Sequence, residues 1–276
     1  MSSSSDNLVI LITGGNTGIG YATTQAILSS PSKPSTIIIT SRSLERSAKA
    51  ADNLQADQSL GSAFAGGSKV VPKELDIDSD ESISKLHDEV KKEFGKVDVL
   101  INNAGVNLDF EVAKGNLTVR QGFINAFSTN VVNTHIFTET FADLLLQSET
   151  RRLIFLSSGI GSLGDHSNPH VPVNHSPPAG WPKKPIFNST TYRTSKTAMN
   201  MMILEWARTL KNDNVKVHLI DPGFLATGLG GIDQAVLKEK GAQDPSVGGK
   251  FIKSVIDGAR DEDVEKLISQ EGIVPW

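Results

Sequence analysis

Two side chains with protons to trade stand four residues apart in TTYRTSKTAMNMM, residues 190–202: Tyr192 and Lys196. On a helix, positions i and i+4 project from one face. A phenol titrates near pH ~10, too high for easy proton exchange at neutrality. An ammonium beside it favours phenolate and draws that value down. A tyrosine lying on a lysine stem is also a common way to cover apolar surface, so the pair needs company before it signifies catalysis. FLSSGIG (155–161) puts Ser157 and Ser158 at the end of an apolar run, and INNAG (101–105) ends another run in the same manner. Open α/β sheets bind ligands at the carboxyl ends of their strands.

A second chemistry is written near the start. TGGNTGIG (13–20) follows an apolar run and precedes a helical pattern. Strand, glycine-rich turn and helix form the context a dinucleotide pyrophosphate needs. Gly14 permits the tight turn, Gly18 lets backbone approach the anion, and Gly20 lets helix and strand pack closely. The helix N-terminus, with Asn16, Thr17 and Ile19 in the turn, offers free N–H groups. The Lys-Ser/Thr ending of a P-loop is missing, which argues against nucleoside-triphosphate hydrolysis. After the second apolar run, IIITSRS, an NAD site places a carboxylate for the ribose 2′-hydroxyl. This chain has Ser41 there and Arg42 beside it. A serine removes the repulsion toward a 2′-phosphate and a guanidinium pairs with one. NADP(H) is therefore favoured over NAD(H), although Arg42 also reads as a solvated residue opening a helix.

The elements that must position these groups follow from hydrophobic patterning. Residues 8–13, 35–40, 69–75, 97–102, 152–157 and 215–221 are short, nearly continuous apolar runs, as expected of parallel strands covered on both faces. Between them lie helical patterns such as 81–95, where Ile83, Leu86, Val90 and Phe94 share a face and Gly95 supplies a stop. The alternation predicts an α/β fold: one Rossmann-type domain, a doubly wound parallel sheet with helices on both faces. That domain should span residues 8–276 after a disordered tip at 1–7. Residues 55–68 read as a surface loop. Residues 161–189, rich in proline and histidine, fit neither regular helix nor central strand. Asp244 and Pro245 should open a helix, and an edge strand is expected near 264–269.

Composition removes whole classes of function. Net charge is −4 and no dense Lys/Arg block appears, so nucleic acid is not an expected partner. The chain lacks cysteine, which excludes disulfides, thiol catalysis and cysteine-based metal sites. His166, His170 and His175 are irregularly spaced among prolines without a carboxylate cluster, so no metal site is expected. No apolar run approaches ~18 residues, and the N-terminus lacks the basic region of a signal peptide. No membrane association is expected, and the expected location is cytoplasmic.

Taken in order, TGGNTGIG, NNAG, STN (128–130), SSG (157–159), YRTSK (192–196) and DPG (221–223) resemble the short-chain dehydrogenase/reductase family over nearly the whole chain. The resemblance implies a catalytic tetrad of Asn130, Ser158, Tyr192 and Lys196. Tyr192 would protonate a forming alkoxide, Ser158 would hold the carbonyl oxygen, and Lys196, together with the positive nicotinamide of the oxidised cofactor, would lower the phenol pKa; Lys196 would also hold the nicotinamide ribose. Asn130 would order a water, or merely cap or kink a helix. Asp76 and Ile77 would meet adenine, and Asn102, Ala104 and Gly105 the adenosine ribose. Pro222, Gly223, Leu225 and Thr227 would form the loop over the nicotinamide. The gap of 34 positions from Ser158 to Tyr192 is longer than in most of the family and resembles its carbonyl-reductase-like branch. Trp181 and Phe187 would then shape an apolar pocket, with Phe224 and Leu229 opposite, for an apolar or aromatic ketone or aldehyde, or the alcohol. The family pairs the helix at 192–211 and the one near 118 across a two-fold axis. Met199, Met201, Met202, Leu204 and Trp206 suit a homodimer, a homotetramer or deep burial in one chain. A non-redox enzyme or a nucleotide-binding regulatory or scaffold protein on the same fold would need no Tyr192–Lys196 pair.

Overall fold

The computed structural model describes residues 7–181, 183 and 189–276. In chain order, β1 (Leu8–Ile12) leads to α1 (Gly18–Ser29), β2 (Ser35–Ser41), α2 (Leu44–Ala56) and a short α3 (Gly61–Ala65). Next come β3 (Lys69–Glu74), α4 (Asp80–Phe94) and β4 (Val99–Asn102). Three helices come after it: α5 (Asp109–Ala113), α6 (Val119–Phe127) and α7 (Thr134–Leu146). The chain then builds β5 (Arg152–Leu156), the long α8 (Thr190–Thr209) and β6 (Lys216–Ile220). It finishes with α9 (Gln234–Glu239), α10 (Pro245–Ile256), β7 (Leu267–Ser269) and β8 (Gly272–Val274).

Among the described residues these strands form one sheet, ordered β3-β2-β1-β4-β5-β6-β7-β8. Every neighbouring pair is parallel except β7 and β8. Strand order reverses between β1 and β4, and the loops leaving them part to open a crevice. Side chains alternate across the pleat, so each strand feeds two cores. Leu11, Leu100, Phe155 and Leu219 face α4, α7 and α8, while Ile12, Ile101, Ile154 and Ile220 face α1, α2, α3 and α10. β2 is buried at every position, which explains its unbroken apolar run.

Local chemistry sets the helix limits. Ser79 accepts from Ser82 N–H at the start of α4, Asp80 and Glu81 meet the positive end of its dipole, and Gly95 ends it at φ 72°. Asp244 caps α10 with Pro245 behind it, as the sequence predicts. Two expectations change. Residues 55–68 are not a plain loop: α2 runs on to Ala56, a 3₁₀ turn and α3 come next, and Leu54, Leu60 and Ala63 are buried. Helical spacing there rests on small residues, which patterning by hydrophobicity misses. The strand near 264–269 is not the edge either, because β8 folds back antiparallel outside it.

Helices α1 and α10 cross with backbone nearly touching. A Cβ placed on Gly249 would sit 2.5 Å from the carbonyl of Ala22. That contact fixes α1, and with it the glycine turn at its head. Gly249→Val should therefore cost at least about 2 kcal/mol by overpacking and weaken binding of any dinucleotide, read by urea unfolding and by ligand titration of the folded variant.

Candidate active site

The glycine turn is built to receive an anion. Gly14 and Gly18 adopt φ of 65° and 55°, backbone that side chains disfavour. Thr17, the N-cap of α1, makes no side-chain cap hydrogen bond, and the first turn holds no acidic residue. The first N–H groups of α1 thus keep their positive field without an internal anion, which fits a pyrophosphate. Asn103, passed over in the sequence, holds the turn in shape. Its Nδ2 donates to the carbonyls of Thr13 at 2.8 Å and Gly14 at 3.1 Å. Thr13 Oγ1 accepts from the N–H of Asn103 and Ala104. Asn102 instead turns to the Thr138 hydroxyl and is buried. Thr227 closes the turn from the far side, its Cβ 3.6 Å from where a Gly18 Cβ would lie. Arg42 is exposed at the end of β2, whereas the Ser41 hydroxyl is spent on the carbonyl of Ser43 and on Ser47. Asp76 accepts from Asp78 N–H, and Ile77 is buried in the core beside Leu75 and Ile83.

The four residues of the expected tetrad do converge at the strand ends. Tyr192 is buried, and the Ser158 side chain lies beside its phenol and favours the ionised form. Ser157, by contrast, turns away and donates to Asn200 Oδ1, so only the second serine of the pair faces the site. The Lys196 ammonium lies 5.7 Å from the centre of the Tyr192 ring. It donates to the Leu156 carbonyl at 2.7 Å and touches Met199 Sδ at 3.4 Å. Asn130 lies fully buried in a π-helical stretch, Ser128–Asn133, between α6 and α7. Its Oδ1 accepts from Val106 N–H at 2.8 Å, and its Nδ2 donates to the Val106 carbonyl and to Ser195 Oγ, each at 2.9 Å. Ser195 in turn donates to the Tyr192 carbonyl at 2.8 Å. The Asn130 side chain thereby braces the loop after β4 against α8.

Without a dinucleotide, burial dominates the electrostatics of the site. Burial raises the phenol of Tyr192 above its ordinary value, Asp221 adds to the rise, and the Ser158 hydrogen bond opposes it. Lys196 does not reverse this, because desolvation penalises both charged forms at once. The same burial lowers Lys196 from 10.5 to about 8. Asp221 is a further group that the motif alone did not mark. Its carboxylate accepts from Gly223 N–H at 3.2 Å and from Gly159 N–H, and burial raises its pKa. It thereby ties the loop after Ser158 to the loop after β6, the two walls of the site.

A family model described as short chain dehydrogenase matches residues 8–170 and 173–235. The chain belongs to the short-chain dehydrogenase/reductase family. It is 42% identical over 286 residues to the short-chain dehydrogenase/reductase eupG of a Phoma species, with 100% of both chains covered. To tropE of Talaromyces stipitatus, of the same description, it is 35% identical with 98% of each covered. The NADPH-bound carbonyl reductase from chicken fatty liver superposes with a TM-score of 0.74 at 22% identity, covering 98% of each chain.

Around this cluster, the expected pocket walls only partly follow the sequence reading. Trp181 is 88% exposed and walls nothing, because the proline-rich segment carries it outward. Phe187 lies outside the described residues. Phe224 and Leu229 are half-exposed beyond Pro222 and Gly223, but Leu225 is buried and packs on Gly248 of α10. The dehydrogenase's inserted segment is pinned to α8. Arg193 donates to the carbonyls of Ile160 and Val173 and to Asn174 Oδ1, and Thr197 donates to the Gly161 carbonyl. At its root, Ser162 Oγ and Gly164 N–H donate to the carbonyls of Pro275 and Trp276. A cavity of about 400 Å³ opens between this segment and α8, lined by Ile160, Leu163, His166, Val173 and Arg193. Neither Ser158 nor Tyr192 borders it. Among the described residues, no group of three or more His, Cys, Asp or Glu is placed to hold a metal ion, and no helix is long and apolar enough to cross a membrane.

The depressed Lys196 value has a consequence for stability. Between about 8 and 10.5 the unfolded chain binds the Lys196 proton more tightly than the folded one. Stability contributed by this group thus rises with pH across that window and is lost below it. In the dinucleotide-free protein at pH ~7, Lys196→Met should stabilise the fold by about 1–3 kcal/mol. The advantage should shrink as pH approaches ~10, followed by denaturant titration at several pH values.

Proposed function

We propose that the chain is an NADP(H)-dependent reductase that converts a ketone or aldehyde to an alcohol, or runs the reverse. The observation that carries this reading is the convergence of the buried Tyr192 phenol, Ser158 and the Lys196 ammonium at the carboxyl end of β5. A carbonyl oxygen placed between two hydroxyls receives a hydrogen bond from each, and their stabilisation grows as negative charge develops on it. Tyr192, kept protonated by its surroundings, is then the acid that delivers a proton to the alkoxide. Lys196, anchored on the Leu156 carbonyl, supplies positive charge beneath the phenol as it ionises. In the oxidative direction the same groups act in reverse, with Tyr192 as base.

The residues present fit a nicotinamide dinucleotide. Gly14, Gly18 and the head of α1 would hold its pyrophosphate, Arg42 its 2′-phosphate, Asp76 its adenine end, and Pro222, Gly223 and Thr227 its nicotinamide half. When bound, the reduced dinucleotide supplies the hydride. Support for the phosphorylated form comes from the exposed Arg42 guanidinium with no carboxylate at position 41, and from the NADPH-bound carbonyl reductase with which the fold superposes. Partly exposed Phe224 and Leu229 favour an apolar or aromatic carbonyl compound. Pairing of copies through α6 and α8 belongs to the same reading: Ile124 and Met201 present apolar surface there.

A panel of p-nitrobenzaldehyde, cyclohexanone, menadione and phenanthrenequinone, followed by loss of nicotinamide absorbance, tests the reaction. Binding of NADPH without oxidation on any carbonyl tried would refute it. Tyr192→Phe should lower kcat about a hundred- to ten-thousand-fold while leaving the fold intact. Arg42→Asp should weaken NADPH binding at least about tenfold and leave NADH nearly unchanged; equal loss for both would overturn the choice of dinucleotide.

A further inference from the structure

We propose that Asp109 is a positioning residue for the proton donor: its carboxylate, reaching in from the segment after β4, grips the first turn of α8 and fixes the backbone of Tyr192. The proposal rests on the reading of Tyr192 as that donor. The first turn of any helix has N–H groups with no partner inside the helix. The N-cap of α8, Ser189, supplies no side-chain cap hydrogen bond. Asp109 supplies it from 82 residues away: one carboxylate oxygen accepts from Thr191 N–H at 3.0 Å, the other from Tyr192 N–H at 3.0 Å.

The carboxylate is 5% exposed. A buried charge is costly unless hydrogen bonds and an opposing field compensate it, and here the N–H pair and the positive end of the α8 dipole do so. Two bonds on adjacent residues restrain tilt as well as translation. The phenol stands at the far end of its side chain, so a small tilt of that turn displaces the hydroxyl from Ser158. Reaction rates fall about a hundredfold for a misplacement of ~1 Å. Among the described contacts near this turn, Arg193 holds the inserted segment and Ser195 grips the Tyr192 carbonyl. Asp109 is the side chain on the Tyr192 N–H.

Its own segment is tied to the opposite wall. A Cβ on Gly230 would lie 3.7 Å from Asn107, and one on Gly231 would lie 3.9 Å from Glu111. The residues flanking Asp109 therefore touch the turn that follows Thr227. The donor's helix and the loop over the nicotinamide half share one intermediary.

The test uses the full chain with NADPH and p-nitrobenzaldehyde. Asp109→Ala leaves both N–H groups unpaired, and Asp109→Asn keeps one acceptor. Expected are losses in kcat of at least about thirtyfold for Ala and about fivefold for Asn. The KM for aldehyde and the Kd for NADPH, read by fluorescence titration, should stay within about twofold of wild type. On a Tyr192→Phe background the Asp109 substitutions should add nothing, because they act through the missing hydroxyl. The chain has two tyrosines, so ring-labelled tyrosine gives two resonances assignable through Tyr192→Phe; Asp109→Asn should move that of Tyr192 and leave Tyr21 in place. If Asp109→Ala does not fold, Asp109→Asn decides. Turnover within about twofold of wild type, a matching loss of NADPH affinity, or an undiminished effect on the Tyr192→Phe background each overturns the proposal. Full turnover by Tyr192→Phe alone would instead remove the donor assignment, and this proposal with it.

Discussion

Lys196 carries an ammonium into the interior, and the carbonyl that receives it belongs to the last residue of β5. The partner is a backbone oxygen and a thioether, not a carboxylate. Desolvating a charge against a neutral acceptor is unfavourable, and the depressed pKa of the group records that cost. The carbonyl must be where the sheet puts it. The ladder between β5 and β6 ends at Leu156 and Ile220, and the chain departs there into Ser157 and Ser158. One strand end thus fixes the cation and the serine together, while α8 carries the tyrosine over both.

Around that cation the polar groups are chained. Val106, Asn130, Ser195 and the Tyr192 carbonyl form a continuous run of hydrogen bonds. Asn130 reaches into it because the helix widens to π geometry at Ser128–Asn133, a distortion common at functional sites. Asp221 performs a similar service between the loops after β5 and β6. Its neighbour Gly159 has no room for a side chain, since a Cβ would lie 2.5 Å from the Asp221 carboxylate. Fully satisfied networks of this kind specify one arrangement of the interior.

Much of this was legible in advance, for local reasons. Apolar runs marked six of the parallel strands, β1 to β6, and four-residue spacing put Tyr192 and Lys196 on one face. Of the serine pair, Ser158 lies beside the Tyr192 phenol and Ser157 turns to Asn200. The hidden part depends on residues distant in sequence. Asn103 and Ser195 look like ordinary polar neighbours of a motif, and Asp109 like a surface acid. Their partners are named only when β1, β4 and α8 meet. The phenol's raised pKa escapes the sequence because proximity to an ammonium can be read from spacing, whereas depth of burial cannot. Trp181 departs from expectation for a related reason: an aromatic residue in an irregular segment has no periodicity to say which way it points.

The inserted segment is fastened at Ile160, Gly161, Ser162 and Gly164, and again at Val173 and Asn174. These fastenings all precede the proline-rich stretch that carries Trp181. Closing a longer loop between fixed ends costs entropy that grows only as the logarithm of its length. Lineages could therefore lengthen, shorten or rewrite the stretch beyond Asn174 with little thermodynamic penalty. The scaffold thus keeps its hydrogen-bonded interior apart from a stretch whose length the fold does not dictate.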